Sequence, residues 1–289
     1  MRKIKNIAII GKQELIGETD LMARIRRTIK SCNCKIIFTG ADADAKSLQK
    51  CDIVLTIGGD GTVLRVAREI AGLKHKPFIV GVHVGIVGFL AELTPANIEN
   101  ELKSLIKGDY REDKRKLLEV EIFRGNASAA GKKIFKSFAL NDAVINQGPF
   151  ARMLNLTIHI NEKIMSEFRG DGVIVATTTG STGHSLAAGG SIIHPSLDTF
   201  IITPLCPASL SMRPIIIPDS RTITIELTGR KPLQTEVRLT VDGQNSIPIR
   251  YGDKVLVKRT NSSITFLRSK DKNFYATLRQ KLHWGERHF

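Results

Sequence analysis

Long apolar runs are missing from this 289-residue chain, and without the ~18 to 20 consecutive apolar residues of a membrane-spanning helix no membrane role is expected. Cysteine is scarce: Cys32, Cys34, Cys51 and Cys206 show no CxxC spacing and no neighbouring array of histidines. That argues against a bound zinc and against a disulfide framework. The opening Met1-Arg2-Lys3-Ile4-Lys5-Asn6 runs into a short strand-like segment and lacks a small-residue cleavage site, so no secretory signal is expected and the cytoplasm is the expected compartment. Acidic residues are in deficit, 28 against 43 Lys and Arg, for a formal net charge of +15. The basic excess is scattered, locally dense only over residues 107–116 and 268–281, and no aromatic RNA-binding motif, zinc finger or basic heptad accompanies it. A nucleic-acid partner is therefore not expected. A basic surface serves equally well to steer a small polyanionic substrate.

The chain is long enough for two cores. Through residue 115 it alternates strand and helix: residues 4–10 read as a strand, 20–32 as an amphipathic helix with Leu21, Ile25 and Ile29 at intervals of four, then strands at 35–39, 52–57 and 77–82 and helices at 62–71 and 95–107. Such alternation with short links gives a parallel, Rossmann-like sheet covered by helices. From residue 116 to 267 the texture becomes β-branched runs punctuated by Gly, Pro, Asn and Asp, the mark of a β-rich, sandwich-like second domain. Residues 268–289 regain helical spacing at Phe274, Leu278 and Leu282 and are expected to return to the first domain.

The most specific motif is Gly58-Gly59-Asp60-Gly61-Thr62, which ends a buried-looking strand and opens a helix. A glycine-rich turn there leaves main-chain N–H groups at the positive end of a helix dipole, a place for phosphate. Asp60 would repel phosphate if binding were its only task, so it is read as polarising a hydroxyl beside the phosphate, which points to phosphoryl transfer. A second loop, Gly81-Val82-His83-Val84-Gly85-Ile86-Val87-Gly88, follows the next strand; its spacing is not the GxGxxG of an ordinary dinucleotide-binding dehydrogenase. Asn141-Asp142 interrupts an apolar run, as an edge or bulge or as a pair that reads a base and a ribose. Residues 169–190 crowd glycines and small hydroxyls into what reads as a polar lining. No G-x-S-x-G elbow occurs there, so His184 and Ser185 are not read as parts of a hydrolase triad.

These motifs resemble those of the NAD kinases. The resemblance runs from Asp52 through Thr62, Gly88-Phe89-Leu90, Ala139-Leu140-Asn141 and Asp171 through Thr177, to Val241-Asp242-Gly243-Gln244 and Leu278-Arg279-Gln280-Lys281-Leu282. The Gly-Gly-Asp-Gly-Thr loop is shared with diacylglycerol, sphingosine and phosphofructokinase-like kinases, whereas Thr179-Gly180-Ser181-Thr182 with Ala188-Gly189-Gly190 is closer to NAD kinases alone. The resemblance implies transfer of the terminal phosphate of ATP, or of polyphosphate, to the 2′-hydroxyl of the adenosine ribose of NAD. It implies Asp60 as the proton acceptor with Gly61 against the ligand, Asn141 and Asp142 on adenine or ribose, and Arg169 and Asp171 on the dinucleotide. Thr182, Gly183, His184, Ser185, Leu186 and Ala187 would wrap the adenosine half, and Gln244 would approach the same site, with Arg65 and Arg152 as further candidates. It also implies a divalent metal, Mg2+, carried with the nucleotide, and a homodimer or homotetramer whose subunits share the site.

Four positions depart from the family pattern: Asp142 stands for a usual Glu, Thr178 for Pro, Gly183 for Ala and His184 for Tyr. Asp keeps the charge at shorter reach, and imidazole keeps a smaller stacking face. The rival readings are a lipid kinase of the same superfamily, which would want an apolar cleft, and, from the four departures and the charge of +15, a catalytically silent dinucleotide sensor or a nucleic-acid-binding protein.

Overall fold

Four runs of aliphatic residues, β1 (Asn6–Gly11), β2 (Lys35–Gly40), β3 (Ile53–Ile57) and β4 (Phe78–Val82), pair in parallel in the order β2-β1-β3-β4. Every residue of β3 and β4 is buried, as expected of central strands covered on both faces. The helices between them are α1 (Gln13–Ile16), α2 (Asp20–Ser31), α3 (Ala45–Gln49), α4 (Asp60–Ile70) and α5 (Ile98–Lys107). Thr19 starts α2 by accepting a hydrogen bond from the Met22 amide at 3.2 Å, a cap worth about 1 kcal/mol. The helix buries Met22, Ile25 and Ile29 against Ile7, Ile9 and Leu102 in one core cluster. Gly108, at φ 97°, stops α5 in the left-handed conformation, which costs glycine least. Thr94 and Asn97 bond each other ahead of that helix, so it begins three residues later than the sequence pattern suggests.

This computed structural model describes residues 3–42, 45–85, 88–125, 131–148, 153–228, 236–270 and 273–285. It divides into two units, Met1–Arg115 with Ser263–Phe289, and Lys116–Ser262.

The second unit is a sandwich. Its strands are β5 (Arg111–Arg124) from Lys116 onward, β6 (Lys132–Ala139), β7 (Asp142–Gln147), β8 (Leu154–Ile160), β9 (Lys163–Gly170), β10 (Gly172–Thr177), β11 (Thr199–Leu205), β12 (Ile215–Pro218), β13 (Ile223–Leu227), β14 (Val237–Val241), β15 (Asn245–Ile249) and β16 (Lys254–Arg268) as far as Ser262, with the single helical turn α6 (His184–Ala187) after β10; the first five residues of β5 and the last six of β16 belong to the first unit. One antiparallel sheet runs β12-β11-β10-β7-β14-β15; in the other, β9, β8, β13 and the start of β16 pair in turn, and β5 pairs β6 and β16. Leu118, Leu156 and Ile225 of one sheet meet Ile145, Val175 and Leu239 of the other in a single buried cluster, each side chain contributing about 1.5–3 kcal/mol of burial. The opposite face of the first sheet is closed by Ile193, packed on Val144, Ile174, Ala176 and Ile201. Strand β10 is consequently buried along its whole length.

Two strands escape the sequence reading. β9 and β15 are edge strands with mostly exposed residues, so they carry no clean apolar alternation. The run 132–145 breaks at Leu140-Asn141, where the chain leaves β6 in one sheet for β7 in the other. β16 ends with Phe266 beside Ile79 of β4, and α7 (Phe274–Leu282) follows, capped by Asn273 Oδ1 on the Ala276 amide at 2.9 Å. Among the described residues no helix is long and apolar enough to cross a membrane.

Candidate active site

The two glycine loops leave the C-terminal ends of neighbouring parallel strands, β3 and β4, the edge at which open α/β sheets bind ligands. Gly58 turns the chain at φ 148°, and a Cβ there would lie 2.8 Å from Thr62 Oγ1. Asp60 is the first residue of α4 and is half-buried. The chain after β4 makes an excursion that closes when the amides of Glu92 and Leu93 return to the Gly81 carbonyl at 3.0 and 2.9 Å. That excursion turns three successive amides onto Asp60: Phe89 to Oδ2 at 2.8 Å, Leu90 to Oδ1 at 3.1 Å and Ala91 to Oδ1 at 3.3 Å. Gly88 makes this possible, because a Cβ there would sit 1.7 Å from Asp60 Oδ1. Asp60 also attracts the Lys281 ammonium of α7; burial lowers the Lys281 pKa and Asp60 opposes the fall. Gly61 is exposed beside Asp60. Arg65, one turn on, is ion-paired with Asp42 and donates to the Ala41 carbonyl at 2.6 Å.

The second unit holds a cleft of about 290 Å³ lined by Asn141, Asp142, Val144, Asn146, His184, Thr240, Asp242 and Gly243. Asp242, in the left-handed region at φ 50°, builds its floor. Its carboxylate accepts from the amides of Leu140, Asn141 and Asp142 at 3.0, 2.8 and 3.2 Å, and its own amide donates to the Asp142 carbonyl at 3.0 Å. Thr177 fixes the same corner from β10, donating its hydroxyl to Leu140 O at 2.5 Å and its amide to Asn141 O at 2.8 Å. A Cβ on Gly180 would come within 2.2 Å of that Asn141 oxygen. Asn141 is thereby held on all sides through its backbone, while its side-chain Oδ1 is buried with no hydrogen-bond partner. A buried carbonyl oxygen without a donor costs about 1–3 kcal/mol, which a ligand donor would recover. Asp142 is 4% exposed, and burial, aided by the Asp242 charge, pushes its carboxyl up to about 7.

Comparison with known proteins fits both halves. Residues 5–110 match the family model of the ATP-NAD kinase N-terminal domain, and residues 140–269 that of the ATP-NAD kinase C-terminal domain. An NAD kinase of Geotalea daltonii is 40% identical over 83% of this chain and 81% of its own, and one of Carboxydothermus hydrogenoformans is 38% identical over 99% and 98%. The chain belongs to the NAD kinase family. Among solved structures, yeast NADH kinase complexed with NADH has a TM-score of 0.87 at 22% identity, covering 100% of this chain and 90% of that one. An NAD kinase from Archaeoglobus fulgidus in complex with ATP has a TM-score of 0.75 at 24% identity, covering 95% and 98%. At those identities the likeness is one of fold.

Within the second unit of this NAD kinase family member several of the expected site residues meet at the cleft. Asn141, Asp142 and His184 line one cleft, and Gly183 lies against it, a Cβ there standing 3.4 Å from Asn141 Nδ2. His184 and Ala187 are exposed and Leu186 half-buried on α6. The hydroxyls read as a lining are largely internal struts: Ser185 is fully buried with its Oγ 2.9 Å from Thr203 Oγ1, Ser181 Oγ donates to Thr178 O at 2.7 Å, and Thr182 Oγ1 donates to Thr179 O at 3.3 Å. They satisfy a turn-rich segment packed under a sheet, where few main-chain partners exist. Arg169 and Asp171 precede β10, whose first residue Gly172 pairs with Asn146 at one end of the cleft, while Ala176 pairs with Asp142 at the other. There Asp171 accepts from Gln147 Nε2 at 2.8 Å, and its hydrogen bond to the Cys206 thiol raises that thiol's pKa. Gln244 is exposed on the β14–β15 turn. Arg152 lies outside the described residues. Sequence reasoning missed Asp242, Lys281, Asn146 and Thr240; the Asp-Gly pair within Val241-Asp242-Gly243-Gln244 was the one signal for the first of these.

Proposed function

We propose that the chain transfers the terminal phosphate of ATP to the 2′-hydroxyl of the adenosine ribose of NAD, giving NADP, with Asp60 as the proton acceptor. The observation that carries this reading is the Asp60 carboxylate, oriented at the start of a helix by three amides. A carboxylate offers about four acceptor positions; Oδ1 uses two and Oδ2 one, leaving one on Oδ2 for a substrate hydroxyl. A carboxylate is too weak a base to ionise an alcohol outright, so it takes the proton as the oxygen bonds to phosphorus. Lys281, attracted by Asp60, supplies positive charge for the moving phosphoryl group. The buried Asn141 Oδ1 accepts from an amino or hydroxyl group of the nucleoside, Asp142 accepts from a ribose hydroxyl, and His184 offers its ring as a stacking face.

The divalent metal, Mg2+, is substrate, arriving on the nucleotide. Arg169 and Asp171, next to the Asn146 end of the cleft, meet the dinucleotide there, and the chain assembles as a homodimer or homotetramer. The Asn141, Asp142 and Asn146 side chains in the cleft favour a nucleoside acceptor over a lipid. Asp60→Asn is expected to cut NADP formation by roughly 10² to 10⁴ while NAD affinity and the circular dichroism spectrum hold. Turnover near that of the parent, or faster phosphorylation of diacylglycerol than of NAD offered beside it, refutes the proposal.

A further inference from the structure

Arg268, the last residue of β16, lies in a stretch whose charge density suggests a solvated surface, yet it is 5% exposed. Its guanidinium sits 4.9 Å from the Phe266 ring centroid and donates Nε to Asp113 at 3.2 Å, Nη1 to Glu92 at 3.4 Å and Nη1 to the Leu90 carbonyl at 2.7 Å. The next residue, Ser269, donates its amide to Glu92 at 3.0 Å. Burying a cation is costly even when it is paired, and an apolar residue of like volume often serves stability as well. Packing alone is a poor reason for an arginine here.

The contact with Leu90 gives a better one. The Leu90 carbonyl and the Ala91 N–H belong to one planar peptide group with its oxygen and hydrogen on opposite sides. Arg268 holds the oxygen at 2.7 Å, and Asp60 accepts from the hydrogen's side at 3.3 Å. A cation at one end and an anion at the other polarise the group between them, so each hydrogen bond strengthens the next. The Leu90 amide, on the adjoining peptide plane, donates to the same Asp60 oxygen.

We propose that Arg268 is a positioning residue for phosphoryl transfer, fixing through the Leu90–Ala91 peptide the orientation of the Asp60 carboxylate. The inference rests on the reading of Asp60 given above. Arg268 touches no substrate; it sets the angle at which the open position on Asp60 Oδ2 meets the acceptor hydroxyl. A carboxylate turned by a fraction of an ångström still binds its neighbours but loses rate, since small misplacements of reacting groups cost up to about 100-fold.

The test is a double-mutant cycle in NADP formation. Arg268→Gln is expected to lower kcat roughly 10- to 100-fold, with KM for NAD changed by less than about threefold, and Arg268→Lys to recover part of the loss. In the Asp60→Asn background the same substitutions are expected to change kcat by no more than about twofold, because there is no longer a base to aim. Should Arg268→Gln fail to fold, Arg268→Lys, which keeps a cation beside Asp113 and Glu92, carries the comparison. A folded Arg268→Gln with kcat within about twofold of the parent, or an equal fold-loss in both backgrounds, overturns the inference. Full turnover in Asp60→Asn alone would instead overturn the reading beneath it.

Discussion

Replacing Asp142 by Asn should make the chain more stable above neutral pH and leave it nearly unchanged in acid. Folded, the carboxyl holds its proton up to about 7, because burial first and the Asp242 charge second disfavour ionisation. Unfolded, it loses that proton near 4. Between those two values the native state binds more protons than the unfolded chain, so the contribution of this group to stability falls as pH rises through the window. Above the folded value the whole penalty is present; below about 4 it vanishes. A rise from 3.8 to about 7, at about 1.4 kcal/mol per tenfold change in proton affinity, sets a ceiling of about 4 kcal/mol. Asn keeps the size and never ionises, so Asp142→Asn should gain 1 to about 4 kcal/mol at pH 8 and only about a quarter of that at pH 4.5. Urea unfolding of parent and variant at the two pH values, compared at constant m-value, measures this. Equal midpoint shifts at both pH values, or a parent more stable than the variant at pH 8, refutes the assignment. Activity should move the other way, since the variant loses a charged acceptor for the substrate.

Gly88→Ala should fall toward the Asp60→Asn level of activity and lose about 1–3 kcal/mol of stability, because its Cβ would occupy the place of Asp60 Oδ1; kinetics near those of the parent count against the clasp. Gly59→Ala is the control: its Cβ meets nothing within 4 Å and φ is an ordinary −91°. Its melting temperature should match the parent, so a loss of activity would report a ligand in that space. Arg169→Ala should raise KM for NAD, and an unchanged KM would remove Arg169 from the substrate; sedimentation of the active parent as a monomer would remove the homodimer or homotetramer.

What the sequence discloses here is local chemistry. The strand, the Gly58-Gly59-Asp60-Gly61-Thr62 turn and the helix are one continuous segment, so apolar periodicity and turn residues are enough to place a phosphate loop. The break at Asn141-Asp142 is legible as an interruption. What closes on it is not, because Asp242 lies 100 to 102 residues away and strand register between β7 and β14 cannot be read from one sequence. Arg268 is the clearest failure of local reading. Its neighbours are basic, and the partners that bury it, Asp113, Glu92 and Leu90, are 155, 176 and 178 residues distant. Residues 169–190 mislead in the opposite sense, since several of their hydroxyls are spent on the segment's own folding.

Each unit uses an Asp-Gly pair in the same way, with one carboxylate gripping three successive amides of a distant loop: Asp60 those of residues 89–91, and Asp242 those of residues 140–142. The difference lies in what remains. Asp242 is 5% exposed and closes the floor of a cleft, whereas Asp60 is half-exposed with an acceptor position unspent. By gripping the corner, Asp242 sets its own negative charge beside Asp142 and helps to push that carboxyl toward neutrality. Selection for stability alone would favour an amide at Asp142, which keeps the shape without the charge. A carboxyl kept there, next to a buried Asn141 oxygen that lacks a donor, is the arrangement a site adopts when the missing donors come with the substrate.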